Sequence, residues 1–135
     1  MADEWDVVDL WVCLFPSADA VEASFAERYD QEDGVPISAF AADMGVWFYD
    51  HDFVYREFHE PPARMLEEAL GRWDHLAWAH PQMLQAFRDS TFSPFNLFLV
   101  AFGREIEHPK SMSSAGRTLH YLGRFENPAA DRPVA

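Results

Sequence analysis

The stretch WFYDHDFVYREFHE, residues 47–60, gathers in one segment the side chains that could do chemistry: six aromatic residues, four carboxylates and two imidazoles. Carboxylates and imidazoles ligate zinc and other divalent ions, and they also act as general acids and bases. Aromatic rings interleaved with charges are instead typical of a protein-binding surface. The segment therefore raises three hypotheses: a metal site, an acid/base pair, or a surface that contacts a partner protein.

The spacing argues against a metal site. On a strand, Asp50 and Asp52 project to one side and His51 to the other, so regular β geometry does not let all three ligate one ion. Glu57 and His59 share a face and could supply two ligands. The sequence has no H-E-x-x-H motif, no spaced Cys/His set and no D-x-D-x-D-G calcium loop. We predict no metal and no cofactor; the alternative is a small metal-dependent hydrolase that uses the Asp50 to Glu60 cluster.

Other catalytic patterns are also absent from the sequence. There is no G-x-S-x-G elbow and no phosphate-binding glycine loop, because the six glycines are scattered singly. Cys13 lies in the apolar run VVDLWVCLF, which favours a buried small hydrophobe over a reactive thiol. A pair of acids has little specificity as a signal, since any two of 23 could meet in a cleft. We predict that the chain is not an enzyme and has no catalytic residues.

Charge limits the classes of partner. The formal net charge is −13, and residues 1–68 hold 17 acidic and 3 basic side chains against 6 and 7 in residues 69–135. A negative field repels nucleic acid and anionic lipid headgroups and attracts basic partners. We therefore predict no nucleic-acid binding and no membrane binding, with a merely solubilising surface as the alternative interpretation. The acidic N-terminus and the lack of a long apolar run predict a cytoplasmic protein.

The elements that position these side chains follow from periodicity. Residues 7–15 predict a mostly buried strand, and Ser17 and Ser38 are predicted to cap two helices, the second of which ends at Gly45. The segment VWFYDHDFVYREFH predicts two short strands around a turn or bulge at residues 50–52.

The second half predicts two helices and two strands. EPPARMLEEALGRWD is predicted as a helix that starts at its prolines, and HPQMLQAFRDS as another helix. PFNLFLVAFGREIEH and GRTLHYLGRFE are predicted to pair as antiparallel strands joined by a flexible loop. Strands at both ends with helices between them predict the α+β class: a small, largely antiparallel sheet with helices packed mainly on one face. We expect one domain over residues 1–126 and a frayed tail at 127–135.

The order of these segments resembles the Immunity protein 22 family of bacterial polymorphic-toxin systems. The stretches that carry the resemblance are VDLWVCLFPS, YDQEDGVPISAFAADMGVWFYDHDF, FHEPPARMLEEAL, and FNLFLVAFG followed by LHYLGRF, over roughly residues 7–126. The resemblance implies an antidote that binds the C-terminal domain of a cognate secreted toxin in the cytoplasm and blocks it without doing chemistry. A nuclease or another basic toxin would suit an acidic inhibitor. An acidic regulatory scaffold that binds an unrelated basic protein is a further alternative, and the oligomeric state stays open.

The residues that we predict to contact the partner combine charge with aromatic surface. They are Asp50, Asp52, Glu57, Glu60, Tyr49, Phe53, Tyr55, Asp30, Glu32 and Asp33. The carboxylates are expected to meet basic toxin residues, and the rings to act as anchors. The structural alternatives are that Asp50 or Asp52 caps a turn and that the rings are buried in the core.

Overall fold

The computed structural model describes residues 6–29 and 35–128 of the chain. Its strands are β1 (Val7–Leu14), β2 (Val54–Ala63), β3 (Phe95–Phe102), β4 (Met112–Ser114) and β5 (Arg117–Glu126). Its helices are α1 (Ala18–Phe25), α2 (Ala39–Asp43), α3 (Glu67–Leu70) and α4 (His80–Ser90), with 3-10 turns at His51–Phe53 and Asp74–Ala79. One antiparallel sheet packed against helices confirms the predicted α+β class.

The strand order is β2-β3-β1-β5-β4, so β1 lies at the centre. Trp11 of β1 stands opposite Leu99 of β3 on one side and Tyr121 of β5 on the other. The prediction that the two late strands pair with each other is therefore wrong. Because β1 is buried along nearly its whole length, its backbone N–H and C=O groups need partners on both edges, and β3 and β5 supply them. Strand β5 instead forms a hairpin with β4. Strand β4 lies inside the segment predicted to be a loop.

Both faces of the sheet are covered by helices. Trp11 and Leu99 pack with α1 and α2 in one core, whereas Leu10 and Phe98 pack with α3 and α4 in the other. The expectation that helices lie mainly on one face thus needs correction. Strands β1 and β3 carry apolar side chains at consecutive positions, so each face exposes apolar surface that a helix must cover.

The predicted helix caps are confirmed. The Oγ of Ser17 accepts a hydrogen bond from the Ala20 amide, and the Oγ of Ser38 accepts one from the Ala41 amide, both at 3.1 Å. Gly45 adopts φ +72° directly after α2, a conformation in which an L side chain would be strained.

The predicted helix start at Pro61 is wrong, because Pro61 and Pro62 lie in β2 and α3 begins only at Glu67. An edge strand tolerates proline, since a missing amide hydrogen on its outer side breaks no ladder bond. The first of the two strands predicted in VWFYDHDFVYREFH is also wrong: residues 46–50 are irregular, and the strand begins at Val54 after the predicted turn.

One ion pair of a buried carboxylate joins two strands of the sheet, and another joins a helix to the sheet. The carboxylate of Asp9, fully buried on β1, accepts hydrogen bonds from Tyr121 at 2.6 Å and from Arg124 at 2.9 and 3.0 Å. Asp43 of α2 pairs with both terminal nitrogens of Arg117 on β5. Because each charge is matched and hydrogen-bonded, burial costs these carboxylates less than it would cost an isolated one.

The predicted burial of Cys13 is confirmed, since its side chain is fully inaccessible in the core beside α1 and α2. Burial raises the pKa of the Cys13 thiol well above its usual range. Within the described ranges, none of the helices combines the length and the apolar character that a membrane span needs. Asp30, Glu32, Asp33 and the tail residues 129–135 lie outside the described residues.

Candidate functional site

Strand β2 carries three of the predicted contact residues, Tyr55, Glu57 and Glu60, and it is an edge strand. Its side chains alternate between the two faces of the sheet. Val54 packs in the core beside α1, and the guanidinium of Arg56 lies over the Phe25 ring at 4.9 Å. Tyr55 points the other way and makes edge contacts with Trp73 and Phe102. A partner at this edge would therefore contact Arg56 on the α1 face of the sheet and Tyr55 on the opposite face.

The turn before β2 gives its two aspartates different roles. Asp50 caps the 3-10 turn: its Oδ1 accepts a hydrogen bond from the Asp52 amide at 2.9 Å, and its own amide donates to Glu105 Oε1 at 2.6 Å. The side chain of Asp52 is 78% exposed. The turn thus uses one carboxylate to hold its shape and presents the other to solvent.

The three aromatic residues predicted as anchors differ in burial. Tyr49 is only 3% exposed; its hydroxyl lies 3.3 Å from Ser38 Oγ and its ring packs edge-on against Phe40. Burial raises the pKa of Tyr49 above its ordinary value. Phe53 is half-buried, whereas Tyr55 is 37% exposed. Tyr49 therefore belongs to the core, and Tyr55 is the residue of the three with the most surface to offer a partner.

Glu57 and Glu60 also differ. Glu57 Oε1 accepts a hydrogen bond from Arg72 Nη1 at 2.8 Å, and its Oε2 accepts one from the Trp73 indole at 3.4 Å. Its side chain is mostly covered, so its charge already has a partner within the chain. Glu60 is exposed at the end of the strand beside the two prolines. Of this pair, Glu60 is the carboxylate that another protein reaches without breaking an internal ion pair.

Two strongly exposed rings are not among the predicted contact residues. Trp47 is 63% exposed and Phe48 is 62% exposed, in the irregular segment before the turn. The Ile37 amide donates to the Trp47 carbonyl at 2.8 Å, and the Arg28 amide donates to the Ile37 carbonyl at 2.7 Å. These bonds bring three extended segments side by side. We call their exposed large side chains the aromatic patch; they are Tyr29, Val35, Trp47 and Phe48.

A signal for the aromatic patch was present in the sequence. If the run VWFY formed a strand, Trp47 and Tyr49 would lie on one face of the sheet and Phe48 on the other. Both faces would then have to bury a ring. Gly45 ends a helix directly upstream, so little chain is left to start a strand before Trp47. A run of large rings in a connecting segment indicates exposed aromatic surface, which is uncommon unless another molecule covers it.

Between the aromatic patch and β2 lies a cleft of about 390 Å³ lined by Phe25, Glu27, Tyr49, His51, Val54 and Arg56. Glu27 Oε1 lies 3.1 Å from His51 Nδ1 and accepts a hydrogen bond from the Tyr29 hydroxyl. His51 Nε2 lies 3.5 Å from Asp52 Oδ1. The cleft therefore has an apolar floor and a rim of mixed charge.

The geometry of the titratable side chains bears on the metal hypothesis. No group of three or more His, Cys, Asp and Glu side chains is placed to hold a metal ion anywhere in residues 6–29 and 35–128. Glu57 and His59 do share a face, as predicted, but their nearest atoms are 4.0 Å apart. The Nε2 of His59 is buried and has no hydrogen-bond partner among the described atoms. Two ligands alone do not complete the four-ligand set of a structural zinc site.

Comparison with known proteins gives one finding. The family model described as Immunity protein 22 matches residues 8–127, which is most of the chain. No curated protein and no solved structure matches it significantly.

Proposed function

Because this chain belongs to the Immunity protein 22 family, we propose that it binds one cognate secreted bacterial toxin domain and neutralises it by covering the toxin's functional surface. The family supports an immunity function in general. The identity of the toxin, the contact surface and the blocking mechanism are our proposal. In it, the protein acts in the cytoplasm of the toxin-producing cell and performs no chemistry itself.

The observation that carries the proposal is the coincidence of exposed rings and exposed carboxylates on neighbouring segments. Trp47 and Phe48 lie directly before the turn that presents Asp52, and β2 with Tyr55 and Glu60 follows it. Aromatic anchors surrounded by charge are the usual anatomy of an energetically important interface. The alternative that the acid merely solubilises the chain gives no reason to expose two adjacent large rings.

The charge predicts the chemistry of the partner. A net charge of −13 accelerates encounter with a basic protein and slows encounter with acidic ones. We therefore propose a toxin with a basic functional surface, such as a nuclease whose groove is built for phosphates. Carboxylates of the inhibitor would occupy the positions that phosphates take in the substrate.

The predicted contact residues take graded roles in this proposal. Asp52, Glu60 and Tyr55 contact the toxin directly, together with the aromatic patch. Asp50 and Glu57 act through the conformation that they hold, because each already binds within the chain. Asp30, Glu32 and Asp33 remain proposed contacts on the grounds of charge alone. Tyr49 supports the surface from the core.

The test is stoichiometric inhibition. The purified protein is added in increasing ratio to the active C-terminal domain of the secreted protein encoded beside it, and residual toxin activity is measured. We expect activity to fall to background at about one to one, because a tight complex titrates its partner. An unrelated acidic protein of similar net charge serves as the control. Undiminished toxin activity in excess inhibitor, or equal inhibition by the control, contradicts the proposal.

A further inference from the structure

The outer edge of β2 faces a groove rather than another strand. In the described part of the chain, β2 pairs with β3 on one side and no strand pairs with its other edge. Regular pairing with β3 runs from Val54 to Phe58 and is interrupted before Ala63. Such an edge presents backbone N–H and C=O groups to any extended chain that approaches it.

Three adjoining clefts follow this edge between β2 and α1. The first is the cleft of about 390 Å³ next to the aromatic patch, which shares Val54 and Arg56 with a second cleft of about 420 Å³. The second shares Phe58 with a third cleft of about 480 Å³ beside the start of α1. Because neighbouring clefts share lining residues, they form one groove along the strand. Its length suits an extended segment of several residues at roughly 3.3 Å each.

The groove is acidic. Its lining residues include the carboxylates of Glu27, Glu22, Asp19 and Glu60, against one guanidinium, that of Arg56. Arg56 lies 3.5 Å from Glu22, so these two charges offset each other, and the other three carboxylates leave the groove with net negative charge. Val54 and Phe58 supply apolar surface on the same side of the strand. Because every second side chain of an added strand faces this side of the sheet, a segment with basic and apolar residues at those alternate positions matches both features.

We propose that an extended, basic segment of the cognate toxin adds to the outer edge of β2 as a sixth strand, with the side chains on its α1 side directed into this groove. The inference rests on the proposed immunity function and names its mode of binding. Main-chain hydrogen bonds to β2 hold the segment, and the carboxylates select for lysine and arginine at alternate positions. A second copy of this chain fits the edge less well, because it would bring its own carboxylates into an acidic groove.

Hydrogen exchange tests this mode directly. The full-length protein is measured alone and with the catalytically inactivated toxin C-terminal domain. We expect amides in residues 54–59 to exchange about tenfold more slowly in the complex, because strand addition gives the outward amides acceptors. The short opposite edge, β4, is the internal control and should keep its rate. Tight binding with unchanged exchange in residues 54–59 overturns the inference and leaves the proposed function standing. Absence of binding overturns both.

A matched pair of variants tests the charge of the groove. Glu22→Lys reverses an exposed carboxylate on the α1 wall, and Asp89→Lys makes the same charge change on α4, on the opposite face of the sheet. We expect Glu22→Lys to weaken toxin binding about tenfold more than Asp89→Lys, because only the first faces the incoming cations. Equal weakening by the two variants means that overall charge alone acts, which overturns the inference.

Discussion

The carboxylates of this protein fall into two groups that differ in what they touch. Asp9 and Asp43 are buried, and each is matched by an arginine on β5. Asp52 and Glu60 are exposed beside exposed aromatic rings. The first group joins strands and helices of the same molecule. In our proposal, the second group pairs with basic side chains of another molecule. In our proposal, negative charge in one chain thus serves folding at one place and recognition at another.

The largest expected effect comes from breaking a buried pair. Arg124 and Tyr121 both donate hydrogen bonds to the Asp9 carboxylate. Asp9→Asn removes the negative charge and leaves the mostly buried guanidinium of Arg124 without a counter-charge. We expect the free energy of unfolding, measured by chemical denaturation, to fall by about 3 kcal/mol or more. Asp52→Asn is the exposed control and should change it by less than about 0.5 kcal/mol. Equal effects from the two variants would erase the distinction between the groups.

The next effect concerns recognition. Trp47→Ala removes a ring that is 63% exposed, so the fold loses little while the toxin loses an anchor. We expect binding to weaken by about 2 kcal/mol, as at other aromatic hot spots, with the unfolding midpoint nearly unchanged. Met65→Ala is a suitable control, because Met65 is 54% exposed and lies outside the aromatic patch. A loss of stability in Trp47→Ala with unaltered affinity would assign the ring to folding instead.

The buried thiol of Cys13 makes the stability of the protein depend on pH in the alkaline range. Burial raises the pKa of the Cys13 thiol in the folded state. As pH rises past the ordinary range of a thiol, the unfolded chain therefore loses this proton while the folded chain keeps it. Deprotonation then stabilises the unfolded state, so the free energy of unfolding, which is unaffected at neutral pH, falls. We expect the free energy of unfolding to fall by roughly 1 to 2 kcal/mol between pH 8 and pH 10 because of this thiol. In Cys13→Ala that part of the decline should disappear. An identical decline in the variant and the parent would place its source elsewhere.

The smallest effect is the reversal of an exposed charge. Asp52→Lys should weaken toxin binding by about 1 kcal/mol at low salt and by less at higher salt, since the side chain is 78% exposed and its charge is screened. The measurement is the affinity at two ionic strengths, alongside the melting temperature, which should stay constant.

Glu57→Lys provides the contrast, because it places a second cation beside Arg72. We expect it to lower the melting temperature, whereas Asp52→Lys leaves the melting temperature unchanged. A thermally neutral Glu57→Lys would show that the Arg72 pair contributes nothing measurable to folding.

The sequence predicted local features well wherever one residue type dictates the geometry. Ser17 and Ser38 cap helices because their hydroxyls satisfy free amides, and Gly45 ends α2 because it adopts positive φ without strain. Cys13 is buried because an apolar run surrounds it. These outcomes depend on short stretches of chain, so no knowledge of distant contacts was needed.

Long-range arrangement was harder to predict. Alternation identified β3 and β5 as strands but did not reveal that β1 lies between them, since pairing partners are chosen by tertiary packing. Pro61 and Pro62 suggested a helix start, although an edge strand accommodates them equally well. The sequence-based prediction named Tyr49 as an anchor and left out Trp47, yet Tyr49 is buried and Trp47 is exposed because the segment is irregular.

In our proposal, the exposed acidic and aromatic surface binds a basic toxin domain. The most direct test is titration calorimetry of this protein against the inactivated C-terminal domain of the secreted protein encoded beside it, at low and at moderate salt. We predict tight one-to-one binding that weakens as salt rises, because charge contributes to the contact. Absence of binding at both salt concentrations would contradict the claim.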